Sequence, residues 1–388
     1  MLFALGCEDE LSYFRPCLNE LGRVADYVVQ VTREQYPDLQ IPFHSRWRHF
    51  EVGGVGRLDW LDEKLAGLTQ IERAAAKFDL VITSVLLDAG AGYAWQYHEQ
   101  KTGLVFRRSE GLAVASFQMF CQGAFSSNWE QRLRADAQGL QGLTESALAS
   151  GFQVSAENPL VGLAGRFTLL QRLGRSLVLS PELFGHENPR PGCLVNYLLE
   201  RSSNGQLAAE TVLNAVLEGL GDIWPGRLEI AGVNLGDVWS HSALKSDGLG
   251  AGLVPFHKLS QWLTYSLLEP LEELGLEITG LDALTGLPEY RNGGLCLDLG
   301  LLQSKHLSVL QEVHPPSSEV IVEWRALTVI LLDRIAAAVR EKLGMSAEEL
   351  PLVKVLQGGT WTAGRRIAAQ LRAGGVPPIQ IESDGTVF

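Results

Sequence analysis

The most apolar segment of the chain is Glu319-Val-Ile-Val-Glu-Trp-Arg-Ala-Leu-Thr-Val-Ile-Leu-Leu-Asp-Arg-Ile-Ala-Ala-Ala-Val-Arg-Glu-Lys-Leu343. When it is drawn as a helix, its apolar residues lie on nearly every side, which is typical of a helix in a protein interior. Charged residues interrupt it at Glu323, Arg325, Asp333 and Arg334, which argues against a membrane span. Glu323 and Arg325 are therefore expected to be buried or half-buried charges that need partners or a ligand.

Working outward from this segment, most of the chain has the three- and four-residue spacing of apolar side chains that predicts helices. The predicted helices are Asp26 to Tyr36, Leu58 to Leu87, Leu140 to Ser150, Ala164 to Leu177, Ala208 to Leu220, His257 to Leu274 and Glu319 to Leu343. The best strand candidates are Gly103 to Arg107, Arg227 to Ala231 and Ile379 to Ile381. We therefore predict a mainly α protein with a few short β-strands. One body spanning 1–388 is the leading architecture, and an N-terminal lobe 1–185 with a C-terminal lobe 186–388 is the alternative.

The predicted helix from His257 to Leu274 has a polar face as well as an apolar one. Lys258, Gln261 and Tyr265 are three and four residues apart, so they share that face. The face could meet solvent or line a pocket. Pro270 is expected to kink the helix or to end it early, because proline has no backbone N–H to donate.

Composition limits the classes of partner. The 388 residues carry a formal net charge of −13, which argues against nucleic acid and anionic membranes as partners. A small anionic substrate stays open, because a pocket needs only a few local cations. The five cysteines are scattered and odd in number, as expected for reduced thiols. The N-terminus lacks the features of a signal peptide, so we expect a cytoplasmic protein.

Generic motifs do not identify a cofactor. The eight histidines form no H-x-H, H-x-x-x-H or H-E-x-x-H pattern, so we predict no metal. The segment from Asp88 to Trp95 lacks the third glycine of a dinucleotide-binding loop. No G-x-S-x-G elbow and no P-loop occur, so a serine hydrolase and a P-loop nucleotidase have no motif support.

Dense polar and aromatic clusters distinguish this chain instead. They are Arg46 to Phe50, Arg107 to Glu110, Asp222 to Arg227 with Asn234 to Trp239, and Asp282 to Asp298. Each alone is compatible with a salt-bridged loop. Several together suggest a polar pocket with aromatic walls, the usual composition of a small-molecule site.

The same clusters resemble the Urc-four (also Urg-three) uracil-catabolism family. The similar strings include Ile41-Pro-Phe-His-Ser-Arg-Trp-Arg-His-Phe50, Val254-Pro-Phe-His-Lys-Leu-Ser-Gln-Trp-Leu-Thr-Tyr265, Leu284-Thr-Gly-Leu-Pro-Glu-Tyr-Arg-Asn-Gly-Gly294 and the tail Ser383-Asp-Gly-Thr-Val-Phe388. The resemblance extends from about residue 26 to the end. It implies a role in pyrimidine degradation, at a step that releases urea from a ribosylurea nucleotide, and the family-like tail suggests a docked C-terminus.

A fainter resemblance, to the queuosine-nucleotide glycosidases of queuosine salvage, implies a helical fold akin to DNA glycosylases. Four segments resemble motifs of that family in the same order: Leu87-Asp-Ala89, Phe256-His-Lys-Leu-Ser-Gln261, Leu287-Pro-Glu-Tyr-Arg291 and Glu323-Trp-Arg-Ala326. The acid before Tyr-Arg is Glu289 here and aspartate in that family, which puts the reach or the role of this acid in doubt. The Asn-Phe pair that follows the first motif is also absent.

The resemblances imply an N-glycosidase whose catalytic residues are Glu289 and Asp88. Lys258 would hold a 5′-phosphate, assisted by Arg291 or Arg325. The remaining predicted substrate-binding residues are Tyr290, Glu323, Gln261, Phe256, Trp262, Trp47, Arg48 and Asp237. Two rivals stay open: an amidohydrolase that attacks the urea carbonyl, and a pathway-binding protein without catalysis. Small molecules are the only expected partners, and the oligomeric state is left open.

Overall fold

The computed structural model describes residues 1–244 and 247–382. About 55% of the described residues are helical and 9% lie in strands, which confirms the mainly α prediction. The predicted docked tail, 383–388, lies outside the described residues. All five cysteines are free thiols. Within the described residues, no helix is both long and apolar enough to cross a membrane.

The helices are numbered in chain order. They are α1 (Leu2–Cys7), α2 (Leu21–Gln35), α3 (Arg46–Phe50), α4 (Arg57–Leu65), α5 (Gln70–Leu86), α6 (Arg108–Cys121), α7 (Ala137–Gly142), α8 (Glu145–Gly151), α9 (Leu163–Leu179), α10 (Pro181–Phe184), α11 (Leu194–Leu199), α12 (Ala209–Leu220), α13 (Lys258–Glu273), α14 (Tyr290–Asp298), α15 (Ser308–Gln311), α16 (Glu319–Leu343), α17 (Leu352–Val355) and α18 (Trp361–Leu371).

The strands are short and form two-stranded ladders. They are β1 (Phe14–Pro16), β2 (Gln96–Glu99), β3 (Leu104–Arg107), β4 (Gln206–Ala208), β5 (Glu229–Ile230), β6 (Val233–Asn234), β7 (Val238–Ser240), β8 (Leu253–Pro255), β9 (Glu277–Thr279), β10 (Leu302–Ser304), β11 (Val313–His314) and β12 (Gln380–Ile381). The antiparallel pairs are β1–β10, β2–β3, β5–β6 and β7–β8, and the parallel pairs are β4–β9 and β11–β12.

The chain divides into two compact units, each discontinuous in sequence. Unit 1 comprises Met1–His44, Leu228–Lys258 and Leu281–Glu382, and unit 2 comprises Ser45–Arg227 and Leu259–Gly280. One body or two consecutive lobes, the alternatives stated from the sequence, stay predictions.

Unit 1 is organised around α16, which is the most apolar segment of the sequence. It packs against α2, α1 and α14, and α14 packs in turn against α18. Two glycines allow α14 to approach its neighbours closely. A Cβ on Gly293 would lie 2.7 Å from the Trp324 ring, and one on Gly364 would lie 2.2 Å from the Arg291 carbonyl oxygen. These contacts fix the position of α14, whose N-terminus carries Glu289.

Unit 2 contains the two places where a predicted helix is interrupted. The predicted helix from Leu58 to Leu87 is two helices, α4 and α5. A capping box ends the interruption: Thr69 Oγ1 accepts from Glu72 N, and Glu72 Oε2 accepts from Thr69 N at 2.9 Å. Such a box satisfies amide donors at a helix start. The predicted helix from Leu140 to Ser150 likewise divides into α7 and α8, because Thr144 caps α8.

Helix α13 continues through Pro270 to Glu273, so it does not end early at the proline, and the alternative, a kink, stays a prediction. A proline at position 270 cannot donate to the carbonyl of Ser266, four residues earlier. The indole Nε1 of Trp47 donates to that carbonyl at 2.7 Å. The helix therefore keeps its carbonyl paired through a side chain from α3.

Candidate active site

Asp237 is the centre of a polar cluster in unit 1. It precedes β7, and its Oδ1 and Oδ2 each accept from the guanidinium of Arg325 at 2.7 Å. Oδ1 also accepts from Trp239 Nε1, and Oδ2 from Lys258 N. Its carbonyl oxygen accepts from Phe256 N at 3.0 Å and from His257 N at 3.3 Å. Asp237 therefore holds the turn that leads into α13.

Arg325 occupies the position on α16 that the sequence predicted to be a buried charge. Its side chain is buried, and its guanidinium lies 4.0 Å from the centroid of the Phe256 ring. Burial by itself would raise the pKa of the Asp237 carboxyl. The charge and hydrogen bonds of Arg325 outweigh this effect and hold the pKa of Asp237 well below its usual range. Arg325 and Asp237 thus form a bidentate ion pair, which is the arrangement that a buried charge requires.

Glu289 lies at the N-terminus of α14, where it caps the helix. Its Oε2 accepts from Arg291 N at 2.7 Å and its Oε1 from Asn292 N at 2.6 Å. Burial raises the pKa of Glu289, while those two amides and the charges of Lys258 and Arg291 act in the opposite direction. The structure thus provides a rigid, desolvated carboxylate under the influence of a lysine.

Lys258 is the first residue of α13, and the backbone before it is strained. His257 has a φ of +48°, in the left-handed region that non-glycine residues seldom occupy. The hydrogen bonds of Asp237 to the amides of residues 256–258 maintain this conformation. Burial lowers the pKa of His257. The strain at His257 was not predicted.

The other predicted residues near Glu289 have internal contacts. The Arg291 guanidinium lies 4.9 Å from the Tyr290 ring, and its Nη1 donates to the carbonyl of Gly375 at 2.8 Å. Unit 1 therefore brings together Glu289, Lys258, Arg325, Asp237 and Phe256, with Tyr290 and Arg291 next to Glu289 along the chain.

Glu323 is fully buried, as predicted, but its contacts are with the N-terminal segment. Its two oxygens accept from the backbone amides of Ser12, Tyr13 and Phe14 at 3.0 to 3.2 Å. His241 Nε2 lies 3.3 Å from Oε1. The predicted role of Glu323 as a substrate ligand stays a prediction, and the contacts present are those of an anchor for β1.

Asp88, the second predicted catalytic acid, lies in unit 2 just after α5. Its Oδ1 accepts from Arg46 Nη1 and from Ser109 Oγ, the latter at 2.5 Å. His49 Nδ1 lies 3.0 Å from Ser109 Oγ. Arg46 is fully buried and donates to Ser84 Oγ at 2.7 Å. Arg46, His49 and Ser109 belong to two of the polar clusters in the sequence, but no role was predicted for them.

The other predicted residues of unit 2 are buried or paired. Trp47 donates to Ser266, as described above, and Arg48 donates to Glu269 Oε2 at 3.0 Å. Gln261 and Trp262 are buried, and the His49 ring lies 5.4 Å from that of Trp262. Gln261 and Tyr265 are both buried. The polar face of α13 therefore does not meet solvent at these two positions.

Unit 2 contains a cavity of about 1080 Å³, lined mostly by uncharged polar side chains such as Gln118, Gln122, Ser126 and Thr144. None of the predicted site residues lines it. Among residues 1–244 and 247–382, no group of three or more His, Cys, Asp or Glu is arranged to hold a metal ion.

Comparison with known proteins places the chain in a family. Residues 1–388 match the model of a protein family of unknown function, DUF1688. The chain is 41% identical over 409 aligned residues to uracil catabolism protein 4 of Lachancea kluyveri, covering 97% of this chain and 92% of that protein. It is 42% identical over 378 residues to protein urg3 of Schizosaccharomyces pombe, covering 95% and 90%. The resemblance to the Urc-four uracil-catabolism family is confirmed by these two relatives, the fainter resemblance to the queuosine-nucleotide glycosidases stays an expectation, and the chain belongs to the DUF1688 family.

Proposed function

We propose that this protein takes part in uracil degradation and hydrolyses the N-glycosidic bond of ribosylurea or of its 5′-phosphate. The products are urea and ribose or ribose 5-phosphate. The name of the Lachancea kluyveri relative, uracil catabolism protein 4, supports the pathway. The observation that carries the chemistry is the buried carboxylate of Glu289, whose two oxygens accept from the backbone amides of Arg291 and Asn292, and the charge of Lys258 acts to lower its pKa.

The reaction requires stabilisation of positive charge at the anomeric carbon. The C1′–N bond breaks with its electron pair on nitrogen, a water oxygen bonds to C1′, and one water proton is transferred to the urea nitrogen. The sugar passes through an oxocarbenium-like transition state, which a nearby carboxylate stabilises. Burial leaves the Glu289 anion poorly solvated. Its favourable electrostatic interaction with a positive charge that develops beside it is therefore stronger than it would be in water. Two backbone amides orient it without reorganisation.

Lys258 is the proposed binding residue for a 5′-phosphate. Lysine serves proteins as a compact, phosphate-binding charge. Arg325 is less suited to this task, because its Nη1 and Nη2 are both engaged by Asp237. Arg325 and Asp237 instead hold the turn at residues 256–258 and thereby the base of the Lys258 side chain. Asp88 lies in unit 2, and its part in this reaction stays a proposal from the motif resemblance.

The direct test measures urea and ribose released from ribosylurea, with and without its 5′-phosphate. Equal amounts of urea and sugar support the N-glycosidase. A glycosylamine and carbamate would instead identify attack on the urea carbonyl. Glu289→Gln is expected to lower kcat by a hundredfold or more, because removing a preorganised electrostatic contact costs several kcal/mol.

The matched control for Glu289→Gln is Asp136→Asn. Asp136 is another buried N-cap carboxylate, and it accepts from Gly139 N at 2.9 Å and from Ser127 N at 3.0 Å. Both substitutions remove the charge of a helix cap, which costs about 1 kcal/mol of stability, but only the first should affect turnover. A folded Glu289→Gln protein with wild-type kcat would refute the assignment.

Lys258→Gln tests the phosphate. We expect KM for the phosphorylated substrate to rise about tenfold or more, and KM for unphosphorylated ribosylurea to change little, because only the first substrate carries the anion that the lysine binds. Lys342→Gln, which removes a lysine paired with Asp26, is the control for the loss of one positive charge. An equal effect of Lys258→Gln on both substrates would contradict the phosphate role.

A further inference from the structure

Ser109 lies between a carboxylate and an imidazole in unit 2. Its Oγ is 2.5 Å from Asp88 Oδ1 and 3.0 Å from His49 Nδ1. Arg46 Nη1 contacts the same Asp88 oxygen and also lies 3.3 Å from Ser109 Oγ. All four side chains are thus connected in one hydrogen-bond network.

The positions of the protons follow from these distances. Two oxygens 2.5 Å apart require a proton between them, and an ionised Asp88 supplies none, so Ser109 donates to Asp88. With its only proton committed, Ser109 can only accept at its remaining short contact. His49 must therefore carry its proton on Nδ1 and donate to Ser109. The longer 3.4 Å approach of Arg46 Nη1 to His49 Nδ1 is then a contact without a hydrogen bond.

This network uses one oxygen of Asp88 and leaves the other available. Oδ1 receives both Arg46 and Ser109, whereas no hydrogen bond to Oδ2 is present among the described residues. The side chain of Asp88 is 10% exposed. The residue before Ser109 has a strained backbone, with a φ of +55° at Arg108, and this conformation sets the direction of the first turn of α6. Strain at such a position is a feature of functional sites.

We propose that Ser109 and His49 are positioning residues that hold Asp88 with Oδ2 directed at a hydrogen-bond donor of the ligand. A carboxylate oxygen fixed in this way fits hydroxyl donors, and the sugar hydroxyls of the proposed substrate class supply them. The inference rests on the proposed function for the identity of the ligand. His49 acts only through Ser109, and Ser109 only through Asp88.

Kinetics test this order of action. Ser109→Ala and His49→Ala should each lower kcat/KM about tenfold, since misorientation of a binding group is costly. The double variant should be no slower than Ser109→Ala, because residues that act in series are not additive. Ser109→Thr and His49→Asn, which keep the hydroxyl and the Nδ1-like donor, should recover most of the loss. Ser176→Ala, which removes another buried serine hydrogen bond, is the control and should keep wild-type kinetics.

Nitrogen-15 NMR of the histidines tests the proton assignment without substrate. Wild-type His49 should show the Nδ1–H form, and Ser109→Ala should change its tautomer balance. Additive kinetic losses, or an Nε2–H form of neutral His49 in the wild type, would overturn the inference. Absence of urea release by the wild type would refute the proposed function instead, and the NMR result would still decide whether Ser109 and His49 fix Asp88 as argued.

Discussion

Glu269, on α13, is a half-buried carboxylate, 21% exposed, whose protonation responds to pH near neutrality. Burial raises the pKa of Glu269 to about 7. Arg48 and a hydrogen bond from Ser45 act against this rise, and the charges of Glu272 and Glu273 add to it. Such a group binds a proton more tightly in the folded protein than in the unfolded chain, where the pKa of glutamate is about 4.3.

A pH dependence of stability follows. Because the folded-state pKa is raised, the contribution of Glu269 is fully present below about pH 4 and is lost as pH rises through about 7. We expect the free energy of unfolding of the wild type, relative to Glu269→Gln, to fall by up to about 3 kcal/mol between pH 4 and pH 8, at about 1.4 kcal/mol per pKa unit. Urea denaturation across this range measures it, with Glu63→Gln as an exposed control. A constant difference would show that folding does not raise the pKa of Glu269.

Asp237 has the contacts of a positioning residue, while its predicted role as a substrate ligand stays a prediction. It was predicted to bind substrate, yet both of its oxygens are occupied by Arg325, Trp239 and the amide of Lys258. Removing one member of such a buried pair leaves the other charge uncompensated. We infer that Asp237 affects the candidate site by fixing the backbone at Lys258.

At the scale of the element, α16 is the helix that organises unit 1. Its N-terminal half carries two buried charges two residues apart, and they have different tasks. Arg325 pairs with Asp237, whereas Glu323 accepts three backbone amides from the segment around β1. A helix so apolar can hold these charges only because every one of them finds partners.

Glu323→Gln is therefore expected to act on stability. The substitution exchanges a buried acceptor for an amide that presents N–H donors to other N–H donors, and we expect a loss of about 2–4 kcal/mol in the free energy of unfolding. Urea denaturation measures the loss, and Glu319→Gln, on the first turn of the same helix, serves as the comparison. A raised KM with unchanged stability would restore Glu323 as a substrate ligand.

Helix α13 shows how a neighbouring side chain overrides a local rule. Pro270 removes one backbone donor, and Trp47 replaces it at the carbonyl of Ser266. The role predicted for Trp47, as a wall of the substrate pocket, stays untested. Its indole N–H is committed to a structural task that only the packing of α3 on α13 makes possible.

At the scale of the whole molecule, the two units interleave along the chain. Within unit 1, β1 pairs with β10, with Phe14 opposite Ser304, and Asp26 of α2 pairs with Lys342 of α16. Contacts between residues so distant in sequence form only when the whole unit assembles.

This organisation predicts that neither consecutive half folds alone. Fragments 1–185 and 186–388 should each lack cooperative urea unfolding, because each would contain only part of unit 1 and expose the apolar surface of α2 or α16. Co-expression of the two fragments should restore a cooperative transition, as monitored by circular dichroism. A single fragment that unfolds cooperatively with native-like helicity would support the two consecutive lobes considered from the sequence.

The sequence by itself determined the fold class, the family and the positions of about half of the described helices, whereas α6, α14 and α18 were not predicted. Apolar spacing is a local property, so α9, α12, α13 and α16 were predicted nearly to their ends. The burial of Glu323 and Arg325 also followed from spacing alone, because a helix that is apolar on all sides has no exposed face. The breaks at Thr69 and Thr144 were missed, because one capping hydroxyl is a weak signal inside a periodic pattern.

Only the tertiary structure decided what the polar residues contact. A carboxylate in the sequence can cap a helix, pair with an arginine or face a ligand, and the choice depends on groups tens or hundreds of residues away. Glu323 meets the amides of residues 12–14, Asp237 meets Arg325, and Asp88 meets Ser109 and Arg46. Hydrogen bonds require distances near 3 Å, and sequence spacing does not encode distances between segments that become neighbours only on folding.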